Sequence, residues 1–287
     1  MEPQKNQEQC CTVKCDVPLN QDYWNSRYQQ NDTGWDLGEI SGPIKNWIDT
    51  LEDKNQSILI PGCGNTYEAQ YLLEKGFKNI TVIDIAPVLV EDLKNRFLDN
   101  HCIHIVLGDF FKLQGSYDLI IEQTFFCALP PSLRPKYVWK MHQLLKENGR
   151  LCGLLFDTSF EVSPPFGGSK KEYESLFSSA FEIESMEIAQ NSAPKRQNQE
   201  LFIEFKKNSQ NLVNFYQIQG ITCSGCMKTV TGKIMELQGA KNVQMSSDFS
   251  EILLVSEKEI SLTILQELLS YDKKYNIEKV DNLPLTL

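Results

Sequence analysis

Basic residues are the scarcer charge: 28 lysines and arginines stand against 38 acids, giving a formal net charge of -10 over 287 residues. Phosphate contacts need clustered Lys and Arg, so a broad nucleic-acid-binding surface is excluded. Long apolar runs are also missing, and none approaches the roughly 18 residues of a membrane span. The start, MEPQKNQEQCC, is too polar for the apolar core of a signal peptide. A cytoplasmic protein without membrane contact is expected. Histidine is sparse as well. His101, His104 and His142 fall on a loop, a strand and a helix, positions that suit structural or surface roles, so no catalytic base is assigned. Cysteine is not scarce, but its nine copies are an odd number, and Cys102, Cys127 and Cys152 lie inside apolar runs as small hydrophobes. That usage fits a reducing compartment without a disulfide framework.

With 41% hydrophobic residues the chain can bury two cores, and two domains are expected. Residues 1–18 read as a flexible polar tail carrying Cys10, Cys11 and Cys15. YWNSRYQQNDTGWDLG (Tyr23 to Gly38) is dense in aromatics and too irregular for a strand, and Ile44 to Glu52 has helical spacing. An aromatic lid over a pocket and a helix pair packed on a core both fit this segment. From Ser57 onward, near-continuous apolar runs at Ser57–Pro61, Ile80–Asp84, Ile103–Leu107, Tyr117–Ile121 and Arg150–Phe156 alternate with helical stretches at Asn65–Lys75, Val88–Asp99 and Leu133–Lys146. Such alternation predicts a doubly wound α/β fold on a parallel sheet. A helix near Lys171–Ser179 and strands at Phe181–Ile188 and Glu200–Lys206 complete residues 19–207, and 208–211 read as a linker. Residues 212–287 change grammar to strand, helix, two strands, helix, strand, which predicts a small α+β ferredoxin-like βαββαβ domain.

ILIPGCGNTYEAQ places Gly62 and Gly64 after a strand and at the mouth of a helix, where a nucleotide-like ligand can approach the backbone without meeting a Cβ. Asp84 ends the next strand, where a carboxylate can accept both ribose hydroxyls of an adenosine. A dinucleotide fingerprint would put its third glycine at position 67, which is Tyr67. Pyrophosphate, and with it an NAD-dependent enzyme, is therefore disfavoured. Asp109, beside Phe110 and Phe111, is placed to hold an adenine amino group. S-adenosylmethionine, an adenosine without phosphate, fits these features; the plainer alternative is that Asp84 and Asp109 cap helices.

These residues lie in segments that resemble the thiopurine methyltransferase-like group, with the thiol and halide methyltransferases among its members. The resemblance spans about Tyr23 to Lys207 and rests on YW-x3-Y-x6-W-DLG, LIPGCG, VIDIAP, GDFF, YDLIIEQTFFCALPPSLRPKY and RQNQELFIEFKK. It implies a Rossmann-like fold in which Trp24, Tyr28 and Trp35 cover the cofactor, Gly62 lies beneath its methionine end, Asp84 and Ile85 face the adenosine, and Arg134 closes the site. Tyr28 stands where the thiol and halide enzymes tend to have tryptophan, which leaves the acceptor open. Methyl transfer from a sulfonium asks mainly for alignment and exclusion of water.

GITCSGC (Gly220 to Cys226) adds a dithiol between the first strand and first helix of the second part. A helix N-terminus favours thiolate there, and two thiolates suit a two-coordinate soft ion such as Cu(I). A structural zinc would want four ligands, and no second CxxC or CxxH lies in this part. GITCSGCMKTV resembles the metal loop of heavy-metal-associated domains. The resemblance spans Val213 to about Asp281 and implies that Cys223 and Cys226 bind a soft metal exchanged with a donor or acceptor protein. Zn(II), Cd(II) and Hg(II) also accept such loops. The combined expectation is a methyltransferase acting on a small soft acceptor (thiol, thiopurine-like, sulfide, halide or a selenium or tellurium species), fused to a soft-metal-binding domain. The alternative is a metal-handling or metal-sensing protein whose Rossmann part binds cofactor without turnover.

Overall fold

The computed structural model describes residues 18–280; the tail with Cys10, Cys11 and Cys15 lies outside the described residues, as do residues 281–287. Two short helices come first, α1 (Gln21–Gln29) and α2 (Gly42–Ile48). Five strands follow, β1 (Ser57–Pro61), β2 (Asn79–Asp84), β3 (Ile103–Leu107), β4 (Tyr117–Gln123) and β5 (Leu145–Phe156), joined across α3 (Tyr67–Glu74), α4 (Pro87–Arg96) and α5 (Arg134–Leu144). Then come α6 (Lys170–Phe177), β6 (Phe181–Ile188) and β7 (Glu200–Lys207). The sheet order is β3-β2-β1-β4-β5-β7-β6. The first five strands run parallel, while β7 pairs antiparallel with β5 and β6. Strand β1 is buried along its whole length, as a central strand covered on both faces must be. The strand order reverses between β1 and β4, and a crevice at that switch point takes the ligand in open α/β sheets.

Several boundaries differ from the sequence reading by a few residues: the helix expected over Val88–Asp99 ends at Arg96, and the strand expected from Arg150 begins at Leu145. The helix expected to reach Lys146 stops at Leu144, and the chain enters β5 directly at Leu145. Asn148, with φ of 61°, bends the strand start where the Asn148-Gly149 pair reads as a helix stop.

The second sheet comprises β8 (Leu212–Gln219), β9 (Ala240–Met245), β10 (Glu251–Ser256) and β11 (Asn276–Lys279), in the order β11-β8-β10-β9, with every pair antiparallel. Helices α7 (Ser224–Met235) and α8 (Leu262–Leu269) share a core with one face of it: Tyr216, Ile218, Ile252 and Leu254 pack with Val230, Ile234, Leu265 and Leu269. Because successive side chains alternate across a strand, Phe215, Leu253 and Val255 point the other way, and they join the core around Tyr137, Trp139 and Phe177. Two separate cores were expected, but this face of the second sheet is buried against α5. Among the described residues, no helix is long and apolar enough to cross a membrane.

Candidate active site

The turn after β1 is built from left-handed residues, with φ of 52° at Gly62, 50° at Gly64 and 49° at Thr66. A Cβ at Gly62 would overlap the Phe125 ring, so only glycine fits there. The Gly64 N–H donates to Asp84 Oδ2 at 3.2 Å, and the Ala86 N–H donates to Oδ1 at 3.0 Å. Asp84 is 8% exposed. Burial pushes its carboxyl up, opposed by the backbone N–H groups of Ala86, Gly64 and Ile85. A carboxylate offers about four acceptor positions, so capacity to accept from a hydroxyl remains after these bonds are made. The Asp84 environment therefore fits the ribose of S-adenosylmethionine. Ile85, next in the chain, is half-buried.

The aromatic segment folds over this turn. Trp24 and Trp35 meet edge to face at 5.5 Å, Tyr28 and Trp35 at 5.8 Å, and Tyr28 Oη would be 3.4 Å from a Cβ at Gly64. Burial first, and the Asp84 charge second, push the Tyr28 hydroxyl far up, so it stays protonated. Three ties hold the segment down. Asn25 Oδ1 accepts from the Val88 N–H at 2.9 Å, Asn65 donates to Asp36, and Arg196 Nη2 donates to the Trp35 carbonyl at 2.5 Å. Arg196 is buried and pairs with buried Glu200 at 3.4 Å. The sequence reading missed Arg196; its one signal was an Arg and a Glu four apart just before a strand. Helices α1 and α2 pack on the core, and Tyr28 of α1 reaches the glycine turn, while Trp47 of α2 packs instead against Phe202 and donates to Glu204.

Asp109 N-caps the short turn Phe110–Lys112, its Oδ1 accepting from the Phe111 N–H at 2.9 Å. Phe110 is not an open stacking face: it is 4% exposed and packs against Phe111, Phe125 and Tyr137. Phe111 is half-buried, with Lys136 Nζ 5.5 Å from its ring centre. Arg134 opens α5 and is buried; it pairs with Glu172, donates to the Gly167 carbonyl at 2.6 Å and lies 5.0 Å over the Phe126 ring. Its side chain thus faces the Gly167 loop and α6. Two further buried acids escaped the sequence reading. Burial pushes Glu68, in the first turn of α3, up to about 7, and does the same to Glu122 near the end of β4.

A family profile described as Thiopurine S-methyltransferase (TPMT) matches residues 19–214. The chain belongs to that family. It is an S-adenosylmethionine-dependent methyltransferase. It is 31% identical over 193 residues to "Probable thiol methyltransferase 2" of Arabidopsis thaliana, spanning 65% of this chain and 85% of the relative. It is 26% identical over 188 residues to "Thiopurine S-methyltransferase" of Acinetobacter baylyi, spanning 58% and 87%. The fold is similar to the crystal structure of a Burkholderia thailandensis 1,6-didemethyltoxoflavin-N1-methyltransferase, with a TM-score of 0.57 at 17% identity, covering 73% of this chain and all of the other. At that identity the likeness concerns the fold alone. The family match ends at residue 214, inside β8.

In the second sheet's unit, Cys223 N-caps α7, with its Sγ accepting from the Cys226 N–H at 3.4 Å. Both cysteines are free thiols, 3.3 Å apart. The Cys226 thiol is lowered to about 7, first by its contact with Cys223 and then by the Tyr275 hydroxyl; Lys274 Nζ lies 3.9 Å from its sulfur. Gly220, at φ of 90°, brings this loop against the Lys274 carbonyl, where a Cβ would overlap it. Among the described residues no group of three or more His, Cys, Asp or Glu side chains is gathered for a metal, so this site offers two sulfurs.

Proposed function

We propose that the protein methylates a small soft nucleophile: a thiol, a thiopurine-like compound, sulfide, a halide, or a selenium or tellurium species. The observation carrying this reading is the assembly of Gly62, Gly64 and Asp84 under the Trp24, Tyr28 and Trp35 cluster. In it the Gly62 and Gly64 backbone receives the methionine end of S-adenosylmethionine, Asp84 accepts from the ribose hydroxyls and Asp109 holds the adenine amino group. The sulfonium supplies a methyl group that is already activated. The chain's own work is to orient the acceptor and keep water out, which the aromatic cluster does by covering the turn. Tyr28 stays neutral, so it stabilises by contact and donation and does not act as a base. Similarity to a relative named as a probable thiol methyltransferase supports a thiol-class acceptor. Calorimetric titration with S-adenosylmethionine, then an acceptor screen read by mass spectrometry, tests the reading. Cofactor binding with no methylated product from any soft acceptor would favour a sensing role instead.

For residues 212–287 we propose a ferredoxin-like, heavy-metal-associated unit that binds one soft ion, with Cu(I) first, through Cys223 and Cys226, and exchanges it with a partner protein. Support comes from the βαββαβ order, the free dithiol at a helix N-terminus and the lowered Cys226 thiol.

A further inference from the structure

Glu122 is fully buried, one residue before the end of β4. Its Oε1 accepts from the Phe125 N–H at 2.7 Å and the Phe126 N–H at 2.9 Å, and its Oε2 accepts from the Tyr137 hydroxyl at 2.5 Å. Between it and these amides stands Thr124, at φ of 58°, a left-handed conformation that is costly for a β-branched residue. Such a turn persists only where its surroundings fix it, and Glu122 fixes both amides that follow. The turn carries Phe125, whose ring fills the space a Cβ at Gly62 would need and meets Phe110 edge to face at 5.1 Å. Phe110 follows Asp109. One ring is therefore wedged between the glycine turn and the Asp109 wall, and its height is set by a carboxylate that touches neither.

We propose that Glu122 is a positioning residue for methyl transfer: by accepting from the Phe125 and Phe126 amides, it sets the Phe125 ring that spaces the Gly62 turn from the Asp109 wall. Any acceptor of two N–H bonds at that point suffices, whereas a shorter or absent side chain lets the turn relax and the Phe125 ring shift. The inference rests on the proposed cofactor site, because the spacing it controls matters only if S-adenosylmethionine lies between these walls.

The test is calorimetric titration of the full chain with S-adenosylmethionine at a temperature where circular dichroism shows each variant folded. Glu122→Gln keeps an oxygen for both amides and is expected to bind within about threefold of wild type, whereas Glu122→Ala, leaving two amides unpaired, is expected to bind about 10- to 100-fold more weakly. Should Glu122→Ala not fold, Glu122→Asp, withdrawn by one methylene, takes its place with an expected loss of about tenfold. Once Phe125→Ala has removed the ring, adding the Glu122 substitution should weaken binding little further. A folded Glu122→Ala or Glu122→Asp with wild-type affinity overturns the proposal, as does full additivity with Phe125→Ala. Failure of the site reading looks different: Asp84→Ala would then bind as wild type does.

Discussion

The Trp139 indole on α5 and the Phe215 ring on β8 stack face to face, 5.3 Å between centres and 19° between planes. Both side chains are buried, and Lys136, one turn earlier, pairs with Glu251 of β10 at 3.1 Å. The second sheet is thus part of the wall of the methyltransferase core. Phe215→Ala should lower the stability of the full chain by about 3 kcal/mol, the scale of a large-to-small substitution in a core. A chain ending at residue 207 should unfold at a lower temperature than the full chain and bind a hydrophobic dye at the uncovered face of α5. Equal unfolding temperatures for the two chains would restore the expectation of independent units.

Asp84→Ala removes a buried acceptor with two backbone partners at the crevice. S-adenosylmethionine affinity is expected to fall by about 1.5 to 3 kcal/mol, the scale for hydrogen bonds to a charged group. Unchanged affinity by calorimetry would mean that the adenosine lies elsewhere.

Much of this was legible in the chain. Central parallel strands covered on both faces are largely apolar, so β1, β2 and β4 stood out as runs, while the edge strand β3 is an apolar run that is only partly buried. A glycine turn followed by a strand-ending acid marks the crevice because few residues tolerate that geometry. The contacts that tie one element to another were not legible. Phe215, Leu253 and Val255 alternate with Tyr216, Ile252 and Leu254 of the opposite face, so their pattern does not say which element covers the outer face. Glu122 follows an apolar run in β4, and only the fold reveals that its partners are the next turn's amides and a tyrosine fifteen residues on. The family resemblance implied that Arg134 closes the site, yet Glu172 and the Gly167 carbonyl, both remote in sequence, hold its guanidinium.

Stability should depend on pH through Glu68. Burial raises this carboxyl from an ordinary 4.5 to about 7, with the Asp36 charge adding to the rise and its own backbone amide and Arg196 opposing it. Between those values the native state holds the proton more tightly than the unfolded chain does. Its contribution is therefore fully present below 4.5 and lost as pH rises through about 7. Glu68→Gln should then stabilise the protein at pH 8 by up to about 3 kcal/mol and by little near pH 4.5. Thermal unfolding of both proteins across that range checks the sign, and a gain that grows toward acid would refute it.

Soft-metal binding by the second unit should be coupled to proton release with a characteristic pH. Cys226 titrates at about 7, so below that value binding must displace its proton, and above it the sulfur is already a thiolate. The number of protons released per Cu(I), read by calorimetry in buffers of different ionisation enthalpy, should fall as pH rises from 6 to 8. Cys223→Ser/Cys226→Ser should abolish the binding altogether. The dithiol opens α7, which packs on the sheet face opposite the one that meets α5, so the same double variant should keep its methyl-transfer rate with and without metal. Retained tight Cu(I) binding by the double variant would move the metal site elsewhere. Loss of both metal and turnover would show that the ion serves the acceptor chemistry directly, despite the sheet that lies between α7 and α5.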